Sequence, residues 1–441
     1  EDELAQYPID FQARFHIDYS RYPVRPVGIR EVNRLIWHTQ LATHNGGDFF
    51  NEIFYGHPNL IAYESLMFDS VEESIQGQRQ ELRKVRRGEC APSPAMKALL
   101  DIPSPTDKDL LVAMFLANDA VSGDNRGGER IVPALFFQPH FSNMIYRPQL
   151  NQTGDRAILV SEQYESIRNS PLFQQFKYIK TFTPMRRPTT SYGATVRFME
   201  AQTKSETTET EEDGKSVAKI LPDVIMERLC NRSFMIDPQD RLYHDSILVR
   251  FEDGKLNPKA TFTALAAFLD IPYTESMTYC SGKTGLNPES LKGNVLGFDP
   301  ATVYRTYDDY ANDDERAFLE YFLRDVYEAY GYDFHYYKNE PVDEAWIKEK
   351  ISRFSTLNQF MIETRKRMLA DTHEAEGKPP MTEEEIQGIV DKMMEEIDHN
   401  RYNIAMLLLG GLRFVNRNGQ PLYLMKQLQL DPQLLEQPLY H

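Results

Sequence analysis

The stretch Leu35–Asn59 constrains the fold of this chain most, because it combines an apolar run of strand length, a tight polar turn and a second apolar segment. The turn is residues 43–48 (THNGGD), and a strand, a glycine turn and a helix in this order point backbone N–H groups at an anion. Gly46 and Gly47 supply the dihedral freedom that such a loop needs, and Asp48 is placed to cap the helix. A glycine pair before a helix is also the pattern of an ordinary turn. On these residues alone, an anion-binding loop and a simple turn both stay open.

Further apolar segments of strand length lie downstream, and polar residues come directly after each of them. Arg130–Phe137 runs into residues 138–140 (QPH), and Tyr178–Thr183 runs into residues 184–188 (PMRRP) before a helix start. Ser246–Arg250 is a third segment of this kind. Open α/β sheets bind their ligands just past the carboxyl ends of their strands. The sequence therefore predicts an α/β fold with a central, mostly parallel sheet flanked by helices.

The composition excludes several classes of protein. A chain of 441 residues with 41% hydrophobic and 26% charged residues is typical of a soluble globular protein with one large domain and an appendage. The net charge of −17 disfavours a nucleic-acid binder, which needs a basic face. Cys90, Cys230 and Cys280 are too few and too far apart for a disulfide framework or a zinc site, so we expect a reducing, cytoplasmic location. No apolar run approaches the roughly 20 residues of a membrane span, and the acidic opening predicts no signal peptide.

The chain divides into three parts by pattern. Residues 1–30 predict an extended arm, residues 31–340 the α/β domain, and residues 341–441 a mainly helical extension that ends in a small hairpin around Asn418. Residues 203–218 are acidic and rich in Thr, which predicts a mobile loop, with an active-site lid as the alternative. The extension is expected to pack on the main domain or on a second copy, and the second case would make a homo-oligomer.

Helical periodicity and capping signals predict the longer helices. Apolar residues at helical spacing indicate helices over Val71–Val85, Asp313–Tyr330 and Trp346–Met368. Asn257 directly precedes Pro258, and it is placed to cap a helix that begins there. A capping-box pattern at Thr382–Glu385 opens a helix in the extension.

Four segments, in this order within residues 30–337, resemble the sulfotransferase family that uses 3′-phosphoadenosine 5′-phosphosulfate. The first is the strand–loop–helix, which ends in His-Pro at residues 57–58, and the second is Pro-His-Phe at residues 139–141. The third, residues 185–188 (MRRP), is similar to the family's Arg-x-Pro, and the fourth, residues 247–253 (ILVRFED), is close to its hydrophobic–Arg–Tyr–Glu–Asp signature. The resemblance implies a P-loop-like, three-layer α/β/α fold. It also implies transfer of a sulfuryl group to a hydroxyl or amine of a small-molecule or carbohydrate acceptor.

The resemblance assigns roles to several side chains. His140 is the candidate base that takes the proton of the acceptor hydroxyl, although a histidine bonded to neighbouring backbone at a strand end explains the same residue. His44 is the candidate donor to the oxygens of the transferring group. Arg186 is the candidate ligand of the 3′-phosphate, because a guanidinium binds phosphate with two parallel N–H groups. His38 and His57 are expected to be structural.

Further positions are assigned to the nucleotide by the same resemblance, and no metal is implied. They are Asn45, Gly46, Gly47, Asp48, Ser191, Thr195, Lys292 and Gly293. The loop lacks both threonine hydroxyls of the family's Ser-Gly-Thr-Thr, and Asp48 adds a negative charge near the anion. Ala194 stands where the family has a serine, so Ser191 and Thr195 are the available substitutes.

Two further groups of charged residues lie close to these positions in the sequence. Arg187 is expected to face solvent or to replace Arg186. Arg250, Glu252 and Asp253 come directly after a strand, which predicts a buried ion pair at the edge of the sheet.

The resemblance leaves two functions of different classes. The first is a sulfotransferase that uses this donor. The second is a sulfotransferase-like protein without donor binding, which acts as a binding or assembly module through its helical extension. A phosphotransferase is disfavoured, because residues 46–48 (GGD) lack the Lys-Ser/Thr ending of a kinase P-loop.

Overall fold

The structure is a computed structural model, which describes residues 29–39, 44–54, 57, 60–63, 68–113, 130–131, 145–146, 157–162, 171–205, 223–230, 234–278, 298, 300–375 and 379–441. The strands in these residues are β1 (Arg34–Thr39), β2 (Leu60–Tyr63), β3 (Arg130–Ile131), β4 (Ile145–Tyr146), β5 (Ala157–Glu162), β6 (Tyr178–Met185), β7 (Met235–Ile236), β8 (Ser246–Arg250) and β9 (Tyr423–Leu424). The helices are α1 (Gly47–Glu52), α2 (Phe68–Arg86), α3 (Pro94–Leu99), α4 (Pro171–Gln174), α5 (Pro188–Ser205), α6 (Val224–Cys230), α7 (Phe251–Leu256), α8 (Pro258–Phe268), α9 (Asp313–Phe322), α10 (Arg324–Tyr330), α11 (Glu344–Ser352), α12 (Thr356–Ala375) and α13 (Glu383–Leu409).

A five-stranded sheet in the order β2-β5-β1-β6-β8 forms the centre of the molecule. Each neighbouring pair in it is parallel. The fold is therefore α/β with a parallel sheet, as the sequence predicts. The chain leaves β1 for β2 on one side of the sheet and later forms β6 on the other side, so the strand order reverses at β1. A reversal of this kind opens a crevice at the carboxyl ends of the strands.

Apolar layers cover both faces of the sheet. Along β8, Ile247 and Val249 belong to a core cluster with helices α1, α7 and α8. Leu248 belongs to a second cluster with helices α5, α6 and α9 to α13. Because side chains alternate between the faces of a strand, helices pack on both faces and make three layers.

Both long helices predicted around the domain boundary are broken. The helix expected over Asp313–Tyr330 is two helices, α9 and α10, which meet at Leu323. The helix expected over Trp346–Met368 is α11 and α12, separated by residues 353–355. The side-chain amide of Asn312 donates to the carbonyl of Arg353 (2.9 Å) and to Oγ of Ser355 (3.0 Å), which holds the second break in place.

The start and the end of α13 and the turn after it have clear local causes. Thr382 and Glu385 form a reciprocal capping box at the start of α13. Gly411, with φ of +86°, lies just after the end of that helix. The backbone of Asn416 and Gln420 closes the small hairpin, with an N–H···O distance of 2.8 Å.

Asn257 has a different role from the expected helix cap. Helix α8 begins after it, but its side chain makes no capping bond there. Instead, its Oδ1 accepts hydrogen bonds from the backbone N–H groups of Glu436 and Gln437, both at 2.8 Å. The residue therefore anchors the last part of the chain to the α/β domain.

The C-terminal extension packs on the α/β domain. Its strand β9 pairs with β7, and Leu248 in β8 exchanges backbone hydrogen bonds of 2.8 Å with Lys426 and Leu428. The edge of the sheet beyond β8 is thus covered by the extension, which is one way of protecting unpaired strand groups. Arg401 of α13, fully buried, also forms an ion pair of 2.6 Å with Asp223.

Two predicted segments lie largely outside the described residues. The arm is described only from residue 29 onward. Helix α5 continues to Ser205, so the first three residues of the stretch 203–218 are helical rather than loop, and residues 206–218 lie outside the described residues.

Candidate functional site

Three neighbouring strands end at one edge of the sheet and place the candidate residues there. We call this the carboxyl edge, the ends of β1, β6 and β8 at Thr39, Met185 and Arg250. The register places Met185 opposite Arg250 in parallel strands, so the segments after β6 and β8 start side by side. Helices α1, α5 and α7 begin just beyond these strands. The loop around Gly46 and the side chain of Arg186 therefore share this edge.

Gly46 has a conformation and a position that only glycine tolerates. Its φ is +92°, and a Cβ built on it would lie 2.2 Å from Cδ2 of Phe251. The carbonyl of Gly46 accepts the first helical bond, from Phe50 N–H at 3.2 Å. Helix α1 thus begins at Gly47, and Asp48 lies in its first turn rather than at the cap. This corrects the expected capping role of Asp48.

Phe251 connects the loop to the cations of the site. On one side its ring contacts the loop at Gly46, and on another the guanidinium carbon of Arg186 lies 4.9 Å from the ring centroid. The ammonium group of Lys255 lies 5.3 Å from the same ring and 4.0 Å from that of Phe49. Aromatic faces attract cations placed in this way.

Arg186 is 7% exposed and lies against residues 302–307. Its Nη2 donates to the carbonyl of Thr302 at 2.7 Å, and its guanidinium is 5.5 Å from the ring centroid of Tyr307. Burial raises the pKa of Tyr307, but Arg186 and Arg305 outweigh burial and lower the pKa overall. Nε of Arg186 is buried and has no hydrogen-bond partner among the described residues. The guanidinium therefore keeps a donor for a further acceptor.

Ser191 and Thr195 lie on the first turns of α5 and meet the loop after β1. The hydroxyl of Thr195 donates to the carbonyl of Ser191 at 2.9 Å, and Nδ1 of His44 lies 3.3 Å from the same hydroxyl oxygen. The His44 ring also packs on Phe198, with ring centroids 4.6 Å apart. The structure thus brings His44, Ser191 and Thr195 together.

Backbone strain is concentrated at this site. Four non-glycine residues in the described part of the chain have positive φ, and two of them are His44 (62°) and Tyr307 (57°). A Cβ at Gly193 would lie 2.7 Å from Cβ of Tyr307, so only glycine allows α5 this close. Strained residues of this kind cluster at functional sites.

Arg187 does not face solvent, contrary to the expectation from sequence, since it is 2% exposed. Its Nη1 lies 3.3 Å from Nε2 of His335 and 3.2 Å from the hydroxyl of Tyr440, and its Nη2 lies 3.5 Å from the Glu320 carboxylate. Burial alone would lower the pKa of this guanidinium, but the surrounding tyrosines and Glu320 raise the pKa overall. Arg187 therefore joins the end of the chain to the domain.

The predicted buried ion pair after β8 is confirmed. Arg250 forms two bonds to the Asp253 carboxylate, Nη2 to Oδ1 at 2.6 Å and Nε to Oδ2 at 2.9 Å. Glu252 is buried beside them but accepts from the backbone N–H of Arg187 (2.8 Å) and the hydroxyl of Tyr332 (3.0 Å) instead. Burial raises the pKa of Glu252, an effect that the backbone N–H groups of Arg187 and Glu252 and the charges of Arg250 and Arg186 reduce without cancelling.

Five predicted site residues remain. Two of them, Asn45 and Gly47, lie at or just after the turn before α1, and the other three lie outside the described residues. Asn45 lies half-buried in that turn, and Gly47 is buried at the start of the helix. His140, Lys292 and Gly293 lie outside the described residues, so their roles remain predictions.

Two residues of the site have no signal in the sequence. Arg228 of α6 donates from Nη2 to the hydroxyl of Thr195 at 2.8 Å, although its position in a short amphipathic segment indicates an ordinary surface charge. Tyr307 lies in a stretch without periodicity. Only the fold brings either residue to the carboxyl edge.

His38 and His57 are buried, in agreement with structural roles. The His38 ring stacks on Phe182, with centroids 4.6 Å apart. His57 is fully buried, with Nε2 2.8 Å from the carbonyl oxygen of Pro272, so Nε2–H is the donor. Burial lowers the pKa of His57 from 6.5 to about 4, and the bond to Pro272 offsets part of this effect.

This pKa predicts a loss of stability in mild acid. The unfolded chain takes up a proton on His57 as the pH falls below 6.5, whereas the folded protein takes it up only near pH 4. The stabilisation that the neutral His57 gives the folded protein is therefore complete above pH 6.5 and is lost as the pH falls toward 4. Between about pH 7 and pH 5 we expect the free energy of unfolding to fall by about 2 kcal/mol through this group. Urea unfolding of the wild type and of His57→Gln, which keeps a donor for Pro272, measures the difference. If the free energy of unfolding depends on pH in the same way in the wild type and in His57→Gln, this role of His57 is contradicted.

The described ranges contain neither a metal-binding cluster nor a membrane-spanning helix. No group of three or more His, Cys, Asp or Glu side chains in them could hold a metal ion. Nor is any helix there long and apolar enough to cross a bilayer.

The solved structures similar to this chain include two sulfotransferase domains. The domain from the olefin synthase of Synechococcus PCC 7002 has 15% sequence identity and a TM-score of 0.33, and the match covers 69% of this chain and 96% of that one. The domain from the curacin biosynthetic pathway has 12% identity and a TM-score of 0.30, with 69% and 99% covered. No protein-family model and no curated protein matches the chain. The assignment of the fold as α/β rests on the five-stranded parallel sheet itself.

Proposed function

We propose that this protein is a sulfotransferase that takes a sulfuryl group from 3′-phosphoadenosine 5′-phosphosulfate and passes it to a hydroxyl or amine of a small-molecule or carbohydrate acceptor. The observation that carries the proposal is the meeting of three elements at the carboxyl edge. They are the strained loop at residues 44–47, the buried Arg186 after the neighbouring strand, and the hydroxyl of Thr195, which lies beside His44 on the helix that follows Arg186. These are the positions that the sequence resemblance assigns to the nucleotide.

Arg186 has the properties of a phosphate ligand. It is buried, it is held over Phe251 and Tyr307, and its Nε–H has no protein acceptor among the described residues. A buried N–H group without an acceptor is costly unless a ligand satisfies it. A 3′-phosphate provides an acceptor of the right charge and geometry.

The other residues have roles in this proposal that depend on their positions. Ser191 and Thr195 provide the hydroxyls near the 3′-phosphate, and residues 45–48 with Lys292 and Gly293 complete the nucleotide site. His140 accepts the proton of the acceptor hydroxyl, and His44 contacts the oxygens of the transferring group. The nucleotide supplies the sulfuryl group, and the protein positions it and stabilises its charge.

The proposal predicts a specific defect for Arg186→Ala. Loss of a charge-assisted hydrogen bond costs about 1.5–3 kcal/mol, so affinity for 3′-phosphoadenosine 5′-phosphate should fall roughly 10- to 150-fold. Affinity for adenosine 5′-phosphosulfate, which lacks the 3′-phosphate, should change little. Isothermal titration of both nucleotides measures the two effects.

Arg197→Ala is the matched control, because Arg197 is an exposed arginine on helix α5, which begins just after Arg186. It should bind both nucleotides as the wild type does. If Arg186→Ala loses the same affinity for both nucleotides, Arg186 does not bind the 3′-phosphate. If the wild type binds neither nucleotide at high micromolar concentration, the donor is excluded. The binding or assembly function through the extension then becomes the better explanation.

A further inference from the structure

A cavity of about 410 Å³ adjoins the candidate site, and this volume is typical of small-molecule pockets. Residues 303–306 line it, and their neighbours Thr302 and Tyr307 hold Arg186 through a carbonyl and a ring. The start of helix α5 and residues 437–441 form further walls. None of the described residues that the sequence resemblance assigns to the nucleotide lines this cavity. It is therefore a space apart from the nucleotide site.

The charged side chains that line this cavity are all basic, although the whole chain carries a net charge of −17. Arg187, Arg305 and Arg316 line it, and no Asp or Glu side chain does. Two of the three are almost fully buried, Arg187 at 2% and Arg316 at 3% exposed. Arg305 is exposed and forms no ion pair with a carboxylate of the described residues. A lining of this kind favours an anionic ligand.

The carboxylates that pair with two of these arginines lie outside the lining. Glu320 lies 3.5 Å from Nη2 of Arg187, and its oxygens also accept from three backbone N–H groups. Asp308 and Asp313 pair with Arg316 at 2.9 and 3.5 Å, and both carboxylates are more than two-thirds exposed. Because water screens exposed pairs, these two compensate the charge of Arg316 only in part.

Arg187 keeps one donor that no atom of the described residues accepts. Its Nη1 lies within hydrogen-bond distance of His335 and Tyr440, and its Nη2 donates to the carbonyl of Asp333. Its Nε is buried and has no hydrogen-bond partner among the described residues. A buried N–H group without an acceptor is costly unless a ligand or water satisfies it. The consecutive residues Arg186 and Arg187 therefore each keep one Nε–H group for a further acceptor.

The start of helix α5 adds a backbone donor to the same wall. This helix of 18 residues begins at Pro188, and Thr189 and Thr190 of its first turn line the cavity. The first N–H groups of a helix lack partners within it and carry partial positive charge. The N–H of Thr189 has the hydroxyl oxygen of Tyr327 as its partner at 3.4 Å. That of Thr190 has no acceptor among the described residues, so it remains for a ligand.

We propose that this cavity is a second anion site, which binds a phosphate or sulfate group separately from the nucleotide. Nε of Arg187, the guanidinium of Arg305 and the N–H of Thr190 are its donors, and Arg316 adds positive charge. An oxyanion of phosphorus or sulfur accepts several hydrogen bonds at once and suits a planar guanidinium. Free anions and phosphate or sulfate groups on larger molecules share this chemistry. The site requires no sulfuryl transfer, so the inference goes beyond the proposed function and does not depend on it.

Nitrogen-15 NMR of the arginine side chains tests the proposal in the full-length protein without nucleotide. Labelling at Nε gives each arginine one Nε–H signal, and loss of a signal in Arg187→Lys assigns Arg187. If that variant does not fold, contacts of the signal with the ring of Tyr327 assign it instead, since the guanidinium carbon of Arg187 lies 5.7 Å from the centroid of that ring. Loss of a signal in Arg186→Ala assigns Arg186.

Inorganic phosphate and inorganic sulfate are added at constant ionic strength, with chloride as the reference salt, because salt screens exposed charges. We expect the Arg187 signal to shift in a saturable way with either oxyanion and to stay in place with chloride. The same shift should occur in Arg186→Ala, in which the nucleotide site lacks its phosphate ligand. Glucose 6-phosphate distinguishes the sources of the anion. Tighter binding than that of inorganic phosphate indicates a phosphate on a larger molecule, and weaker binding indicates a free anion.

Arg305→Gln should bind phosphate about tenfold more weakly, because it loses one charge-assisted hydrogen bond. Arg305 is exposed, so the variant leaves the core intact. Arg417→Gln is the matched control, since Arg417 is an exposed arginine in the hairpin of the extension, and it should bind phosphate as the wild type does.

The proposal is overturned if phosphate moves the Arg187 signal no more than chloride does, or if Arg305→Gln binds phosphate as tightly as the wild type. A shift confined to the Arg186 signal also overturns it, because the anion then occupies the nucleotide site alone. Since no nucleotide is present, these outcomes are independent of the nucleotide titration.

Discussion

Replacing Arg250 by Met is expected to lower the free energy of unfolding by about 3–5 kcal/mol, because it leaves a buried carboxylate without its partner. Both carboxylate oxygens of Asp253 are bonded to Arg250, and both side chains are less than 5% exposed. The same guanidinium donates from Nη1 to the carbonyls of Tyr330 (2.8 Å) and Tyr440 (2.9 Å). These carbonyls lose their donor in the variant, which adds to the cost.

Urea unfolding measures this effect, and the chain offers a matched control. Arg353 forms an ion pair of the same 2.6 Å length with Glu349, but both side chains are more than half exposed. Exposed pairs contribute roughly 0–1 kcal/mol, so Arg353→Met should change stability little. The double variant Arg250→Met/Asp253→Leu should recover part of the loss, since it removes the stranded charge as well. If Arg250→Met and Arg353→Met lower the free energy of unfolding equally, burial does not make the Arg250–Asp253 pair more important than an exposed one.

The central strands and turns of the fold are visible in the sequence because their signals are local. Tyr178–Met185 and Ser246–Arg250 are apolar runs of strand length bounded by polar residues, and both are strands of the parallel sheet. The capping box at Thr382 and the glycine turn at Gly46 also depend on neighbouring residues alone. Local chemistry of this kind fixes where elements begin and which edge of a sheet carries polar groups.

Features that depend on distant partners are not visible in the same way. The break between α11 and α12 is held by Asn312, which lies 41 residues before Arg353. Arg187 has the sequence pattern of a surface residue, and it is buried because Tyr440, 253 residues later, packs on it. Nothing near Arg228 indicates that its hydrogen-bond partner lies 33 residues earlier.

The candidate site combines both kinds of information. The sequence resemblance indicates that Arg186 and the loop around His44 share a site, and the parallel strands explain why they meet at the carboxyl edge. What the sequence does not indicate is the connection between them. Phe251 provides it, because one ring touches the loop at Gly46 and carries the guanidinium of Arg186 on its face.

This connection makes Gly46→Ala the most informative substitution in the loop. Alanine is strained at a φ of +92°, and its Cβ would lie 2.2 Å from the Phe251 ring. Left-handed strain of about 1–2 kcal/mol and overpacking of about 1–3 kcal/mol together predict a loss of roughly 2–5 kcal/mol in stability. The ring must also move, and Arg186 with it. Affinity for 3′-phosphoadenosine 5′-phosphate should therefore fall about tenfold or more, as for loss of one charge-assisted hydrogen bond.

Two variants separate backbone strain from the clash with Phe251. Gly88 also has positive φ (+73°), but a Cβ there meets nothing within 4 Å, so Gly88→Ala should cost only the strain of about 1–2 kcal/mol and leave nucleotide binding intact. Adding Phe251→Leu to Gly46→Ala removes the ring edge and should restore part of the stability. It should not restore nucleotide affinity, because Arg186 has then lost the ring that supports it. If Gly46→Ala and Gly88→Ala unfold at the same urea concentration, the clash is relieved at no cost and Phe251 does not couple the loop to Arg186.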